Sequence, residues 1–163
     1  MKIRRFEPED STFCLRTRCA AFIQKFYEEI GPEAVSAGVN AYMPDDYIQM
    51  SSIIEIFIIE EKQERKGFFA IKRTDAITAE IPFIYIDLKF LDRGYGSKTI
   101  QYIEKWIESN WPKVEKIFLN TIIPKYNGGF YKKMGFKLVG KSCCIYGERS
   151  VKAKRFEKQI KKM

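Results

Sequence analysis

The chain has 163 residues, 45% hydrophobic and 15% aromatic, enough to build the core of one domain of ordinary size. It contains no histidine, which removes Ser-His-Asp and Cys-His nucleophile systems and His-ligated zinc. Lys and Arg number 29 against 21 Asp and Glu, and the net +8 permits contact with phosphates, nucleic acid or an acidic surface without selecting one. Acid–base work therefore falls to carboxylates, Tyr, Lys or Cys.

The basicity is uneven. From Lys152 to Met163 six Lys or Arg stand against one Glu, which reads as a solvated basic tail. Cys14, Cys19, Cys143 and Cys144 show no C-x-x-C spacing, so a metal knuckle is not expected. MKIRRFEPED has no apolar run of the kind found in signal peptides, and no stretch reaches the length of a membrane span. A cytoplasmic protein with reduced thiols is the expectation.

In chain order, MKIRRF suits a first strand, closed by Pro8, with Asp10 or Ser11 capping a helix. Leu15, Cys19, Phe22, Phe26 and Ile30 recur at helical spacing, and Gly31-Pro32 predicts the end of that helix. Pro44-Asp45-Asp46 suits the start of a short helix running to Met50. EIFIIEE (55–61) and GFFAIKR (67–73), separated by KQERK, form a hairpin signal without an ideal two-residue turn. AEIPFIYIDLKF (79–90) reads as a third long strand. Pro82 cannot donate to a ladder, so a bulge or an unpaired stretch is expected there. Residues 94–111 read as a helix with Ile100, Ile103 and Ile107 on one face, ended by Pro112. VEKIFLNTII (114–123) is a strand, NGGFYKKMG (127–135) a short helix, FKLVG a strand again, and one more strand is expected within 142–156. The fold class is α/β in the sense of an α+β mixed sheet, with helices on both faces.

Three places carry possible chemistry. FLDRGYGS (90–97) follows a strand and opens a helix. Gly94 and Gly96 let the backbone approach a ligand, and the helix offers unpaired N–H groups and a partial positive charge for a diphosphate, helped by Arg93 and Lys98. The P-loop spacing and the third glycine of the dinucleotide fingerprint are both absent. NGGFYKKMGF (127–136) carries Tyr131 on a short helix, where ordinary packing is the simple alternative. Glu80 lies in an apolar strand. Strict alternation puts it on one face with Pro82, Ile84 and Ile86, either at an exposed strand end or in a cleft.

In this order the three features resemble the acetyl-CoA-binding core of the GNAT superfamily of N-acetyltransferases. The family's Q/R-x-x-G-x-G/A loop is matched by Leu91-Asp92-Arg93-Gly94-Tyr95-Gly96, with Leu91 in place of the usual Gln or Arg. AEIPFIYID is similar to the strand of the histone-acetylating branch that carries a catalytic glutamate, here Glu80. NGGFYKKMGF is similar to the later N-x-x-F-Y-x-K-x-G-F signature, which would make Tyr131 the acid for the departing thiolate and Asn127 a pantetheine contact. The resemblance implies a single GNAT domain over 1–163: an N-terminal strand, acceptor-side helices and hairpin (1–78), the acetyl-CoA-binding core (79–139), and a C-terminal strand with a basic tail (140–163). The sheet would be mostly antiparallel with a splayed fourth and fifth strand. Ser97 and Lys98 would extend the phosphate cradle, and backbone N–H groups of Ile84, Tyr85 and Ile86 would meet the charge developing on the thioester oxygen.

The implied function is acetyl transfer from acetyl-CoA to a primary amine by direct transfer in a ternary complex, with no metal. Glu80, set among Ile and Phe side chains, would take the amine's proton directly or through water. Asp87, Glu60 or water alone are the alternatives. A non-catalytic acyl-CoA binder or sensor and a basic nucleic-acid-associated module are the rival classes, although no nucleic-acid-binding motif is evident. The acceptor side, Phe22–Met50 and the residues after Gly140, matches no motif. Glu28, Glu29, Asp45 and Asp46 are there to attract an amine or to form a solvated face. No membrane partner is expected, and a homodimer is.

Overall fold

The computed structural model describes residues 1–160. β1 (Lys2–Arg5) and a 3-10 turn lead into α1 (Ser11–Ala21). A π-helical stretch (Phe22–Phe26) joins α1 to α2 (Tyr27–Asn40), and α3 (Pro44–Met50) follows. Then come β2 (Glu55–Glu61), β3 (Glu64–Arg73), β4 (Thr78–Ile86), α4 (Tyr95–Asn110), β5 (Lys116–Thr121), α5 (Pro124–Lys133), β6 (Lys137–Tyr146) and β7 (Arg149–Gln159).

Among the described residues, seven strands form one sheet in the order β1-β2-β3-β4-β5-β7-β6, antiparallel except for the β4–β5 pair. Side-chain alternation sends Phe57, Ile59, Phe69 and Ile71 to one face, where they pack with Ile100, Ile103 and Ile107 of α4. Ile58 and Phe68 point to the other face and meet Phe13, Cys14 and Tyr47 of α1 and α3. The helices thus cover both faces, and the isoleucine stripe of α4 is buried as its spacing predicts.

β4 carries the feature on which the site depends. Ala70 pairs with Phe83 and Lys72 with Glu80, so Ile81 and Pro82 together oppose Ile71 in a bulge. β5 joins β4 only over Thr78–Glu80, against Lys116–Phe118. Beyond Glu80, β4 stays with β3 to Ile86 while β5 stays with β7 to Thr121. The two central strands therefore splay apart.

The structure corrects several expectations. The bulge reverses alternation, so Glu80 shares its face with Phe83 and Tyr85 rather than with Ile84 and Ile86, which pack on the α4 side. Gly31, at φ 80° and ψ 172°, breaks the helical path, but Pro32 restarts it and α2 runs on to Asn40. Lys62 and Gln63, at φ 53° and 63°, form a tight two-residue turn without glycine between β2 and β3. The helix expected over 127–135 already starts at Pro124. FKLVG and 142–146 belong to one strand, β6, which turns at Gly147 into β7. The basic segment from Lys152 is not a tail: through Gln159 it is a strand between β5 and β6. Residues 161–163 of that segment lie outside the described residues.

Candidate active site

The turn between β4 and α4 is shaped by backbone conformation. Asp92 takes φ 59° and Gly94 φ 82°, and Gly94 caps α4 in the left-handed region. Lys98 N donates to Gly94 O at 3.1 Å. The N–H groups of Tyr95, Gly96 and Ser97 have no carbonyl four residues back within the helix, which leaves them free at its positive end. The Tyr95 hydroxyl donates to Glu61 Oε2 at 2.6 Å, tying the turn to the end of β2. That bond, with lesser help from the N-terminal ammonium, holds the Glu61 carboxyl down at about 2. Gly96 faces Phe130 closely, since a Cβ there would stand 3.2 Å from Phe130 Cζ.

A cavity of about 480 Å³ opens over this turn. Ile84–Ile86 and the turn form one wall, Lys25 and Phe26 a second, and Asn127, Phe130 and Tyr131 of α5 a third. A smaller cavity of about 70 Å³ fills the splay between β4 and β5. The two share Phe26, Ile84, Tyr85, Ile123, Asn127 and Tyr131. Along β4 beyond Glu80, the backbone groups that face β5 have no ladder partner and are open to an extended ligand.

Tyr131 stands at the junction of the two cavities. Its ring packs against Phe130, Phe136 and Phe156, with centroids 5.2, 5.7 and 5.9 Å away. Burial, and then Tyr85, push the Tyr131 phenol well above its ordinary range, so it remains protonated. Asn127 is fixed by its neighbours. Its Oδ1 accepts from Thr121 Oγ1 at 2.8 Å, which in turn accepts from Ile123 N at 3.2 Å, leaving the Asn127 amide N–H groups as donors.

Of the residues singled out in the sequence, Ile84, Tyr85, Ile86, Leu91, Asp92, Gly94, Tyr95, Gly96, Ser97, Asn127 and Tyr131 line the large cavity. Arg93 and Lys98 do not. The Arg93 guanidinium lies over the Phe90 ring at 5.5 Å, and Lys98 is exposed on α4. Glu80 lines neither cavity. Its setting is not apolar as expected, because Lys72 Nζ lies 3.0 Å from Glu80 Oε2. Nor are the alternatives placed there. Glu60 pairs with Arg4, and Asp87 accepts from Lys89 N at 3.0 Å.

Two of the acceptor-side acids are engaged elsewhere. Glu29 accepts from Lys125 N and Tyr126 N at the start of α5, and Asp46 accepts from Met43 N at the start of α3. Asp45 and Glu28 are exposed. Lys25 went unnoticed in the sequence. Its Nζ sits 4.3 Å from the Tyr126 ring centroid, and burial lowers its pKa against the pull of Asp92. The π-helical stretch that aims Lys25 at the cavity leaves no local sequence signal.

The family profile described as an acetyltransferase (GNAT) domain matches residues 52–138, more than half of the chain. The chain belongs to the GNAT acetyltransferase family. Solved structures share this fold across nearly the whole GNAT chain. A GCN5-related N-acetyltransferase from Rhodopseudomonas palustris superposes with a TM-score of 0.82 at 14% identity, covering 97% of this chain and 94% of that one. PaiA N-acetyltransferase from Thermoplasma acidophilum, in complex with coenzyme A, gives 0.79 at 16% identity over 97% and 98%. YncA from Salmonella typhimurium, with its cofactor acetyl-CoA, gives 0.73 at 12% identity over 100% and 95%. No curated protein matches this GNAT sequence. Among its described residues no helix is long and apolar enough to cross a membrane, and no cluster of His, Cys, Asp or Glu is arranged to hold a metal.

Proposed function

We propose that the protein transfers an acetyl group from acetyl-CoA to a primary amine by direct transfer, with both substrates bound together. The observation that carries this reading is the continuity of the site. A cradle of free N–H groups at α4, the unpaired edge of β4 and the protonated Tyr131 all border one pair of adjoining cavities. Coenzyme A and acetyl-CoA in the structures of PaiA and YncA support it.

Each part has a chemical use. The N–H groups of Tyr95, Gly96 and Ser97 bind the diphosphate, and Arg93 and Lys98 add positive charge from outside the cavity. The close approach of Gly96 to Phe130 fits a cradle that needs a bare backbone. The free edge of β4 pairs with the pantetheine arm, and the Asn127 amide donates to it. N–H groups along Ile84–Ile86 that face the splay meet the negative charge developing on the thioester oxygen. The Tyr131 hydroxyl donates to the departing sulfur. Glu80, on the face opposite α4 and one residue ahead of the splay, takes the amine's proton through water.

The test is a screen of amines, peptides and aminoglycosides with acetyl-CoA, followed by release of free thiol. Acceptor-dependent release is expected. Tight binding of acetyl-CoA with no release across the panel would overturn the enzymatic reading in favour of a binder.

A further inference from the structure

Arg18 of α1 is buried, 1% exposed, yet it has no acidic partner among the ion pairs of the described residues. The other buried charges are paired, Asp10 with both Arg4 and Arg65, and Lys66 with Glu64. Arg18 Nη1 donates to the Gly38 carbonyl, while Nη2 is buried with no hydrogen-bond partner. The guanidinium is caged instead by rings: Phe22 at 4.7 Å, Tyr42 at 4.6 Å and Tyr146 at 5.5 Å. The hydroxyl of Tyr47, itself fully buried, also lacks a partner. The Tyr85 hydroxyl also approaches the guanidinium; burial raises its pKa, against the guanidinium's charge and side-chain hydrogen bond, but no partner reaches Nη2. A buried cation with an idle donor is costly, and a well-packed apolar side chain in its place would carry no such cost. The charge calls for an anion that none of the described residues supplies.

The place of the cage says where that anion comes from. Tyr146, over the guanidinium, and Tyr85, beside it, also line the splay cavity. One layer of aromatic rings therefore separates Arg18 from the site of transfer. No carboxylate lines the splay cavity, so nothing there would hold a second cationic group of a polyamine. We propose that Arg18 anchors a carboxylate of the acceptor, making the acceptor a small amine of amino-acid type with its carboxylate close to the amino group. This rests on the splay being the site of transfer. Displacing the Tyr146 ring brings such a carboxylate to Nη2, where a planar guanidinium fork suits it, and puts the Tyr47 hydroxyl within the same cage.

The experiment compares free amino acids with their carboxamides, which keep the amine and lose the charge. The panel also includes putrescine and spermidine, and acetyl-CoA binding is followed separately by calorimetry. Wild-type protein is expected to prefer carboxylates over carboxamides by at least about tenfold in kcat/KM, the scale of a lost charged hydrogen bond. In Arg18→Gln the ratio should fall towards one, with KM for the amino acid rising and KM for acetyl-CoA unchanged. Arg18→Lys, which keeps the charge, should retain part of the preference and serves if R18Q does not fold. Carboxamides or polyamines used as well as amino acids by the wild type would overturn the proposal. So would acetyl-CoA binding with no amino acid acetylated. Failure of acetyl-CoA to bind at all would instead sink the transfer reading beneath it.

Discussion

Replacing Tyr131 by Phe removes one hydroxyl from the junction of the two cavities and leaves the ring in place. A CoA-like thiol has a pKa of about 8.5 and an ordinary tyrosine about 10, and Tyr131 is pushed higher still by burial. Full proton transfer from Tyr131 to the thiolate is therefore uphill by more than about 1.5 pK units, or about 2 kcal/mol. On the proposed route the hydroxyl would therefore serve chiefly as a hydrogen-bond donor to charge gathering on sulfur. A bond to a charged group is worth about 1.5–3 kcal/mol. The expected loss in kcat is therefore about 10–150-fold. Packing against Phe130, Phe136 and Phe156 does not use the hydroxyl, so thermal stability and the calorimetric affinity for acetyl-CoA should stay near wild type. Initial rates of thiol release at saturating acetyl-CoA measure the effect. The phenol stays protonated well into the alkaline range, so wild-type kcat should show no alkaline fall from this group up to about pH 9. A Y131F kcat within twofold of wild type would refute the role.

Other parts of the site and scaffold give further expectations. Gly96→Val sets a branched side chain where even a Cβ lies 3.2 Å from Phe130 Cζ, beside the free N–H groups of α4; acetyl-CoA affinity should fall at least about tenfold by calorimetry. Glu80→Gln should lower kcat/KM by about a hundredfold, the low end for a positioned base, with acetyl-CoA affinity unaltered; an unchanged kcat/KM would remove Glu80 from the reaction. Asp10, 1% exposed, accepts from Arg4, Arg65 and the Glu7 N–H; Asp10→Asn takes the anion out of this cluster, leaving Arg4 with Glu60 and Arg65 open to solvent, and should cost about 1–3 kcal/mol in denaturant unfolding. Burial alone would raise the Asp10 pKa, but Arg4, Glu7 and Arg65 together take it below its ordinary value. A depressed native pKa adds stability above the unfolded value of about 3.9, and that stability is lost as pH falls further through the native one. The wild type should therefore lose stability more steeply than D10N below about pH 4.

What could be read from the sequence was local. The glycine turn before α4 and the isoleucine stripe within it depend on residues a few positions apart, and both stand where their spacing places them. Pro82 announced a break in pairing because it lacks an N–H, and a bulge is there. Its consequence needed the partner strand. One extra residue exchanges the faces beyond it, so Glu80 changed sides while Ile84 and Ile86 kept theirs. The segment from Lys152 misled by charge. Val151, Ala153 and Phe156 are buried between exposed or half-buried basic residues, a strand pattern that a count of lysines hides.

The acceptor side was the least legible because its chemistry comes from distant elements. Arg18 in α1 is one of 29 basic residues, and nothing near it in sequence marks it as buried. Its cage draws on the Gly38 carbonyl in α2, Tyr42 before α3 and Tyr146 at the end of β6. Gly38 is required for more than its carbonyl, since a Cβ there would lie 2.0 Å from the Phe22 ring that forms another wall of the cage. The proposed coenzyme cradle consists of backbone N–H groups, which the turn sequence specifies by itself. The proposed acceptor anchor is built from side chains, which come together only after three helices and the C-terminal hairpin have packed against the splayed sheet. A change at Gly38, far from the reacting atoms in sequence, should therefore disturb acceptor choice through Phe22 and Arg18 while leaving the α4 turn untouched.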